Sequence, residues 1–301
     1  MTLRNLQVFL AVAESGSMVN AAKKLYMTQP SISQIISEME RDYNVTLFDR
    51  KNRKLQLTET GKRLVDYAKK TLISAKETED FLNFESSHPH ISVGATPTIG
   101  ACFMSPIVVK LHEEIPNLVH NVKVLNSSQI IKDLINGTVD IALIEGKVED
   151  PEIESRPVIR DRLVLICSKN HKFMNRLSVD IRELENEPLV VREKGSAMRQ
   201  QIEEGLLSVG IEPSFGWSSS DYDTIIDAVK NGLGVGIISE RLSRKERIRK
   251  SLHICDITGV DASFNYRLAF RKGRMFPESL LEFIRICEEF GALDDILAKS
   301  E

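Results

Sequence analysis

Apolar positions near the start of the chain recur at helical spacing. Leu3, Leu6, Phe9, Leu10 and Ala13 share one face, so residues 3–14 read as an amphipathic helix. A second, shorter stripe of Val19, Ala22 and Leu25 follows Ser17, whose hydroxyl suits a helix N-cap. A third stripe, Ile32, Ile36 and Met39, lies behind Thr28, another capping residue, with Pro30 in the first turn where a missing N–H does no harm. On that third helix Ser31, Ser33, Gln34 and Ser37 are left as short polar groups on the outer face. The small pair Ala21 and Ala22 lets the two short helices cross closely.

The period then changes. Residues 45–48 and 55–58 suit two short strands joined by a turn at 51–53. From 58 to about 84 there is no proline and one early glycine. There Leu64, Ala68, Thr71, Ala75, Thr78 and Leu82 alternate steps of four and three, the spacing of a coiled-coil seam. Its Ala and Thr residues make it narrow. Residues 86–89 end the helix and mark a hinge. Beyond Pro89 strands alternate with helices, the signature of α/β lobes. Strands are predicted at 91–95, 119–125, 141–144, 163–167, 189–192, 235–238 and 266–270. Helices are predicted after Thr96, at 127–136, from Ser196, from about Tyr222 and at 277–290.

The length of 301 residues allows two or three domains, and 42% hydrophobic with 28% charged residues is an ordinary globular balance. A net charge of -3 argues against a general nucleic-acid coat, so any DNA contact needs a local basic patch. Arg50, Lys51, Arg53 and Lys54 form one, with Lys62, Arg63, Lys69 and Lys70 following. Cys102, Cys167, Cys255 and Cys287 are scattered without a CxxC, and the six histidines lack metal-ligand spacing. Reduced, mostly buried thiols and no metal are expected. The stretch at 6–12 lacks a basic leader and a cleavage site, and no apolar run reaches membrane-spanning length. A cytoplasmic protein without membrane contact is expected.

Two short capped helices, a tight turn and a basic exit are what a helix-turn-helix needs to enter a DNA groove. Residues 17–50 together with LTET-G at 57–61, behind Leu47-Phe48-x-Arg50, resemble the DNA-binding region of the LysR-type transcriptional regulators. The resemblance covers essentially the whole chain and is nearest the sulfur- and carbon-assimilation branch. It implies an α/β protein with an N-terminal all-α winged helix-turn-helix, a long linker helix and a two-lobed periplasmic-binding-protein-like effector domain. The boundaries expected are 1–58, 59–87 and 88–301, with lobe I at about 88–161 and 265–301 and lobe II at about 162–264. It also implies an antiparallel pairing of linker helices, a dimer of dimers, promoter DNA and RNA polymerase as partners, and ligand-driven closure that alters promoter bending.

Gln29, Pro30, Ser31, Ser33 and Gln34 are the residues expected in the major groove, with Gln29 and Gln34 placed for bidentate contact to adenine. Relatives often carry arginine where Gln34 stands, so their base preferences do not transfer. Ile35 stands where the family is usually polar, and either touches a thymine methyl or shields the backbone. Arg50, Arg53 and Lys54 are expected on phosphates. A ligand site is expected where Thr96, Pro97 and Thr98, Ser127 and Ser128, and Lys194, Gly195 and Ser196 open three helices, because helix N-termini favour anions. The competing reading of these hydroxyls is simple helix capping. Few aromatic residues lie near the three turns, which favours a small polar anion such as sulfite, sulfate, an acetylserine-like molecule or a small organic acid.

Gly232-x-Gly234-x-Gly236 follows a helix and precedes a strand, the reverse of a nucleotide fingerprint, so no cofactor is expected. No G-x-S-x-G elbow appears, and an enzyme is not expected. The readings left beside a ligand-controlled regulator are a constitutive DNA binder and a cytoplasmic small-molecule-binding protein.

Overall fold

The computed structural model describes residues 1–51, 54–85 and 89–297. The turn at 51–53, the hinge at 86–89 and the phosphate contact of Arg53 therefore fall wholly or partly outside the described residues, as do the side chains of Arg50 and Lys54. Two compact units are present, residues 1–82 and 83–301.

In the first unit α1 (Leu3–Ser15), α2 (Met18–Lys24) and α3 (Gln29–Tyr43) form around a common apolar centre. Each begins on a side-chain cap: Thr2 accepts from the Asn5 N–H, Ser17 from Asn20 and Thr28 from Ser31. Leu6, Phe9, Val12, Ala21, Ala22, Ile32, Ile36 and Met39 supply the centre. Two expected core positions are corrected: Leu3 is 44% and Val19 52% exposed. Val8 and Ala21 are buried instead, because two neighbours contact α1 and the tight crossing admits only alanine on α2.

The wing strands β1 (Phe48–Lys51) and β2 (Lys54–Leu57) pair antiparallel. The first starts three residues later than the sequence suggests. The Glu40 carboxylate accepts from the N–H groups of both Leu47 and Phe48, at 2.7 and 3.1 Å, and holds residues 45–47 as the exit of α3. Thr58 then accepts from the Gly61 N–H at 3.0 Å and opens α4 (Glu59–Glu85). The first half of α4 packs on its own unit through Leu64, Val65, Ala68 and Leu72. Farther along the expected seam Thr71, Thr78 and Leu82 are exposed, as is Phe81.

The second unit contains two sheets that share one strand. In the first, β3 (His90–Ala95) lies between β4 (Val119–Val124) and β5 (Ile141–Glu145), all parallel. The strand β6 (Ile153–Ser168) is far longer than the predicted 163–167. The remaining strands are β7 (Ser178–Asp180), β8 (Leu189–Arg192), β9 (Phe215–Ser219), β10 (Val235–Ser239), β11 (Leu252–Thr258) and β12 (Ser263–Arg271). The first half of β6 pairs with β12, which in turn pairs with β5; its second half pairs with β10 and β11. The change of partners falls between Arg162 and Leu163. In the second sheet β8 runs parallel to β10 and β9. Three strands, β7, β9 and β11, have no counterpart in the sequence reading: β9 is an exposed polar edge, and β11 follows the charged run at 244–250.

A helical segment runs over Pro97–Ile99, Gly100–Met104 and Ser105–Glu114, the middle part wound as a π-helix. Ser127–Ile135, Ala197–Ser208, Tyr222–Lys230 and Glu278–Leu297 are the other long helices of this unit. The glycine pattern serves the connection between Tyr222–Lys230 and β10. Gly234 has φ 154° and a Cβ there would collide with the Pro188 carbonyl.

One buried ion pair fastens the first sheet. Asp140 meets Arg274 at 2.9 Å and also accepts from the Ser92 N–H of β3 at 2.7 Å. Both charged side chains are almost fully buried. Removing one member leaves the other charge buried, so Arg274→Ala is expected to cost about 3–5 kcal/mol. Urea unfolding should show this as an earlier transition of the second unit; an unchanged midpoint would refute the role.

Candidate functional site

The outer face of α3 carries the residues expected to read DNA. Gln29, Pro30 and Gln34 are exposed, while Ser31 and Ser33 are half-buried. The Ser31 hydroxyl hydrogen-bonds that of Thr28 at 2.8 Å, and the Gln34 amide donates to Glu38 at 2.9 Å along the helix. That bond is solvent-exposed and holds the amide over the outer surface. Ile35 is half-buried against the helical core. Tyr26, which the sequence reading did not single out, sits in the turn before α3 with a left-handed φ of 52° and a side chain 98% exposed. Only the abrupt tyrosine between two capped helices could have flagged it.

The second constellation lies where the two sheets meet. Parallel strands β3, β4 and β5 end there from one side, and β8, β9 and β10 from the other. Open α/β sheets present ligand sites at the carboxyl ends of their strands. Thr96, Thr98, Ser127 and Ser196 are all buried at this junction. Ser128 and Lys194 are exposed, and Pro97 is partly covered. The lobes touch directly: the Ser128 N–H donates to the Gly195 carbonyl at 3.3 Å, and the Thr98 and Tyr222 hydroxyls share a hydrogen bond of 2.8 Å.

These hydroxyls are not ordinary caps. Thr96 and Ser196 stand at the N-cap positions of Pro97–Ile99 and Ala197–Ser208, yet neither side chain makes a capping bond. At Ser127–Ile135 the cap is Asn126, which accepts from the Gln129 N–H, and Ser127 is one position inside. The oxygens Thr96 Oγ1, Ser127 Oγ and Ser196 Oγ are buried and make no hydrogen bond. A buried polar group without a partner is costly, and a cluster of them calls for an explanation.

Three further residues belong to this cluster and were missed. Arg192 ends β8, 2% exposed, with its Nε and Nη2 on the Glu193 carboxylate and its guanidinium 4.6 Å from the centre of the Tyr222 ring. Its Nη1 makes no hydrogen bond. Arg192 is thus the buried cation of the cluster, while Lys194 lies two residues past the strand end and is exposed. Glu145 ends β5, 2% exposed, with Oε1 unbonded. Burial pushes its carboxyl above the usual range, while the Thr98 hydroxyl and Arg192 oppose the rise. Tyr222 is the third, an aromatic ring that touches both Thr98 and Arg192. The signal available was a lone charge closing each apolar strand, in LVVR and in IALIE.

Farther along the junction, Ser239 and Tyr266 both donate to the Asp161 carboxylate. Burial raises the Asp161 carboxyl as well. An open groove of about 490 Å³ adjoins the cluster, lined by Pro97, Gly100, Tyr222, Ile226, Leu242 and Lys245. Among the described residues no three metal-ligating side chains converge, and no helix is long and apolar enough to cross a membrane.

Similarity to known proteins follows the same division. Residues 3–62 match the bacterial regulatory helix-turn-helix protein, lysR family, and residues 85–292 match the LysR substrate binding domain. The HTH-type transcriptional regulator CysL of Bacillus subtilis is 29% identical over 254 residues, covering 84% of this chain and 85% of that protein. A probable RuBisCO transcriptional regulator of Cyanophora paradoxa is 31% identical over 269 residues, covering 86% and 82%. The crystal structure of full-length CbnR complexed with its target DNA is similar at a TM-score of 0.64 and 20% identity, covering 96% of this chain and 99% of that one. This last likeness is one of fold. With both of its units matched, the chain belongs to the LysR family: it is a DNA-binding transcriptional regulator with an effector-binding domain, and not an enzyme.

Proposed function

We propose that this regulator reads promoter DNA through the outer face of α3 and is controlled by a small anionic co-inducer held between the two lobes. Residues 1–58 form the DNA-binding domain, 59–87 the linker and 88–301 the effector domain, with lobe I at about 88–161 and 265–301 and lobe II at about 162–264. Gln29, Ser31, Ser33 and Gln34 contact base edges beside Pro30. Arg50, Arg53 and Lys54 hold phosphates, which adds affinity and salt dependence but no sequence preference. The exposed Phe81 and Leu82 late on α4 support pairing of linker helices, and with it a dimer of dimers that contacts RNA polymerase in the cytoplasm.

The observation that carries the effector reading is the set of buried hydroxyls at Thr96, Ser127 and Ser196 that cap no helix. With Thr98, Arg192 Nη1 and the first-turn N–H groups they form a set of donors suited to an anion. Pro97, Ser128, Lys194 and Gly195 shape the rim. Closure on the ligand strengthens the contact that Thr98 and Tyr222 already make across the junction, and that movement shifts the DNA-binding pairs relative to one another.

Three outcomes are expected. A thermal-shift screen against sulfite, sulfate, thiosulfate, acetylserine, phosphate and small organic acids should give a selective rise, since a ligand at about a hundred times its Kd adds roughly 2.7 kcal/mol. No shift with any of them would discard the anion reading. Thr98→Val should abolish the ligand response in a promoter assay while leaving DNA affinity unchanged; an intact response would move the site elsewhere. Gln34→Ala should weaken specific binding by roughly 1–3 kcal/mol, with random-sequence DNA unaffected. Equal losses on both DNAs in gel shifts would remove Gln34 from base reading.

A further inference from the structure

The lobe junction holds one group that an anion does not use. Thr96 Oγ1, Ser127 Oγ, Ser196 Oγ and Arg192 Nη1 can all donate, but Glu145 Oε1, equally buried and unbonded, can only accept when ionised. Glu145 is faced by the Thr96 and Thr98 hydroxyls, by Arg192 of β8, by Asp161 of β6, and by the hydroxyls of Tyr222 and Tyr266; the Cys102 thiol also feels its charge. Arg192, the cation nearest to hand, already gives two nitrogens to Glu193. A ligand made of acceptors alone satisfies the donors and sets its own charge against Glu145. A buried charge without a counter-charge is strongly disfavoured, and a site built this way rejects ligands that leave it unpaired.

Resting on the effector reading above, we propose that the ligand is a small zwitterion of the α-amino-acid type. Its carboxylate takes the hydroxyls and Arg192 Nη1, and its ammonium group lies against Glu145. One end of the ligand then serves the donors and the other the acceptor. The ligand carries no net charge, in keeping with a junction that has buried charges of both signs.

Burial holds the Glu145 proton more tightly than usual, and this sets the sign of the pH dependence. An ammonium group needs the ionised carboxylate, so its binding expels the proton. Affinity rises with pH through the carboxyl's titration and then levels off. A plain anion beside a protonated Glu145 behaves in the opposite way, binding more weakly as pH rises.

The test titrates the full-length protein, by thermal shift and calorimetry, with the twenty α-amino acids. Each is paired with its deaminated acid and its decarboxylated amine, and sulfate is run alongside. At least one amino acid should bind ten times or more tighter than either of its halves, with affinity increasing from acid to neutral pH. Glu145→Gln keeps the shape of the side chain and should cut that affinity at least tenfold while the protein stays folded, as its own melting curve reports. Should Glu145→Gln not fold, the pH series on the unaltered protein decides alone. A deaminated acid or sulfate that binds as tightly as any amino acid, or more weakly as pH rises, overturns the zwitterion and leaves the small-anion effector standing. Silence from every compound overturns both.

Discussion

A single strand joins the two sheets of the effector domain, and the rest of the site depends on its continuity. β6 pairs with β12 up to Arg162 and with β10 and β11 from Leu163 onward, so one unbroken backbone belongs to two hydrogen-bonded ladders. Because β12 and β10 both run antiparallel to it, the parallel strands of each lobe point their carboxyl ends at the same junction. Thr96, Glu145, Arg192, Ser219 and Ser239 all lie at or just beyond strand ends for this reason. A shift of one residue in the β6 register would turn side chains on either side to the opposite face.

The junction also accounts for an apparent extravagance. Away from the junction the buried Asp140 carboxylate is matched by Arg274 and the Ser92 N–H. Where the lobes meet, three hydroxyls, a guanidinium nitrogen and a carboxylate oxygen are buried without hydrogen bonds. Each such group costs about 1–3 kcal/mol. On the effector proposal, binding of a complementary molecule recovers that cost, which would give a small ligand leverage over two lobes. Side chains of the opposing lobes also meet directly at this junction, in the Thr98–Tyr222 hydrogen bond and in those of Ser239 with Asp161 and Tyr266.

The helix-turn-helix unit was largely legible because its determinants are local. Caps at Ser17 and Thr28, Pro30 in the first turn and apolar positions at Ile32, Ile36 and Met39 act within a few residues, and the observed helices follow them closely. The delayed start of β1 was not legible: it depends on Glu40, seven residues before Leu47, reaching across to two backbone N–H groups. Periodicity likewise placed β3, β5, β8 and β10, whose apolar runs are buried on both faces, but missed β9 and β11. Those two owe their strand state to a neighbour rather than to their own residues.

By itself the sequence determined the helices of the first unit and the strands buried on both faces, and it put hydroxyls at the starts of three helices, because capping and side-chain period act over one or two turns. It could not say whether those hydroxyls cap or face a ligand, since both uses need the same residue at the same position. Only the tertiary structure decided that Asn126 caps in place of Ser127, that Thr96 and Ser196 cap nothing, and that Arg192 and Glu145 are buried opposite one another. Burial and pairing of charge depend on which strand ends meet across more than forty residues of chain, and no local pattern records that.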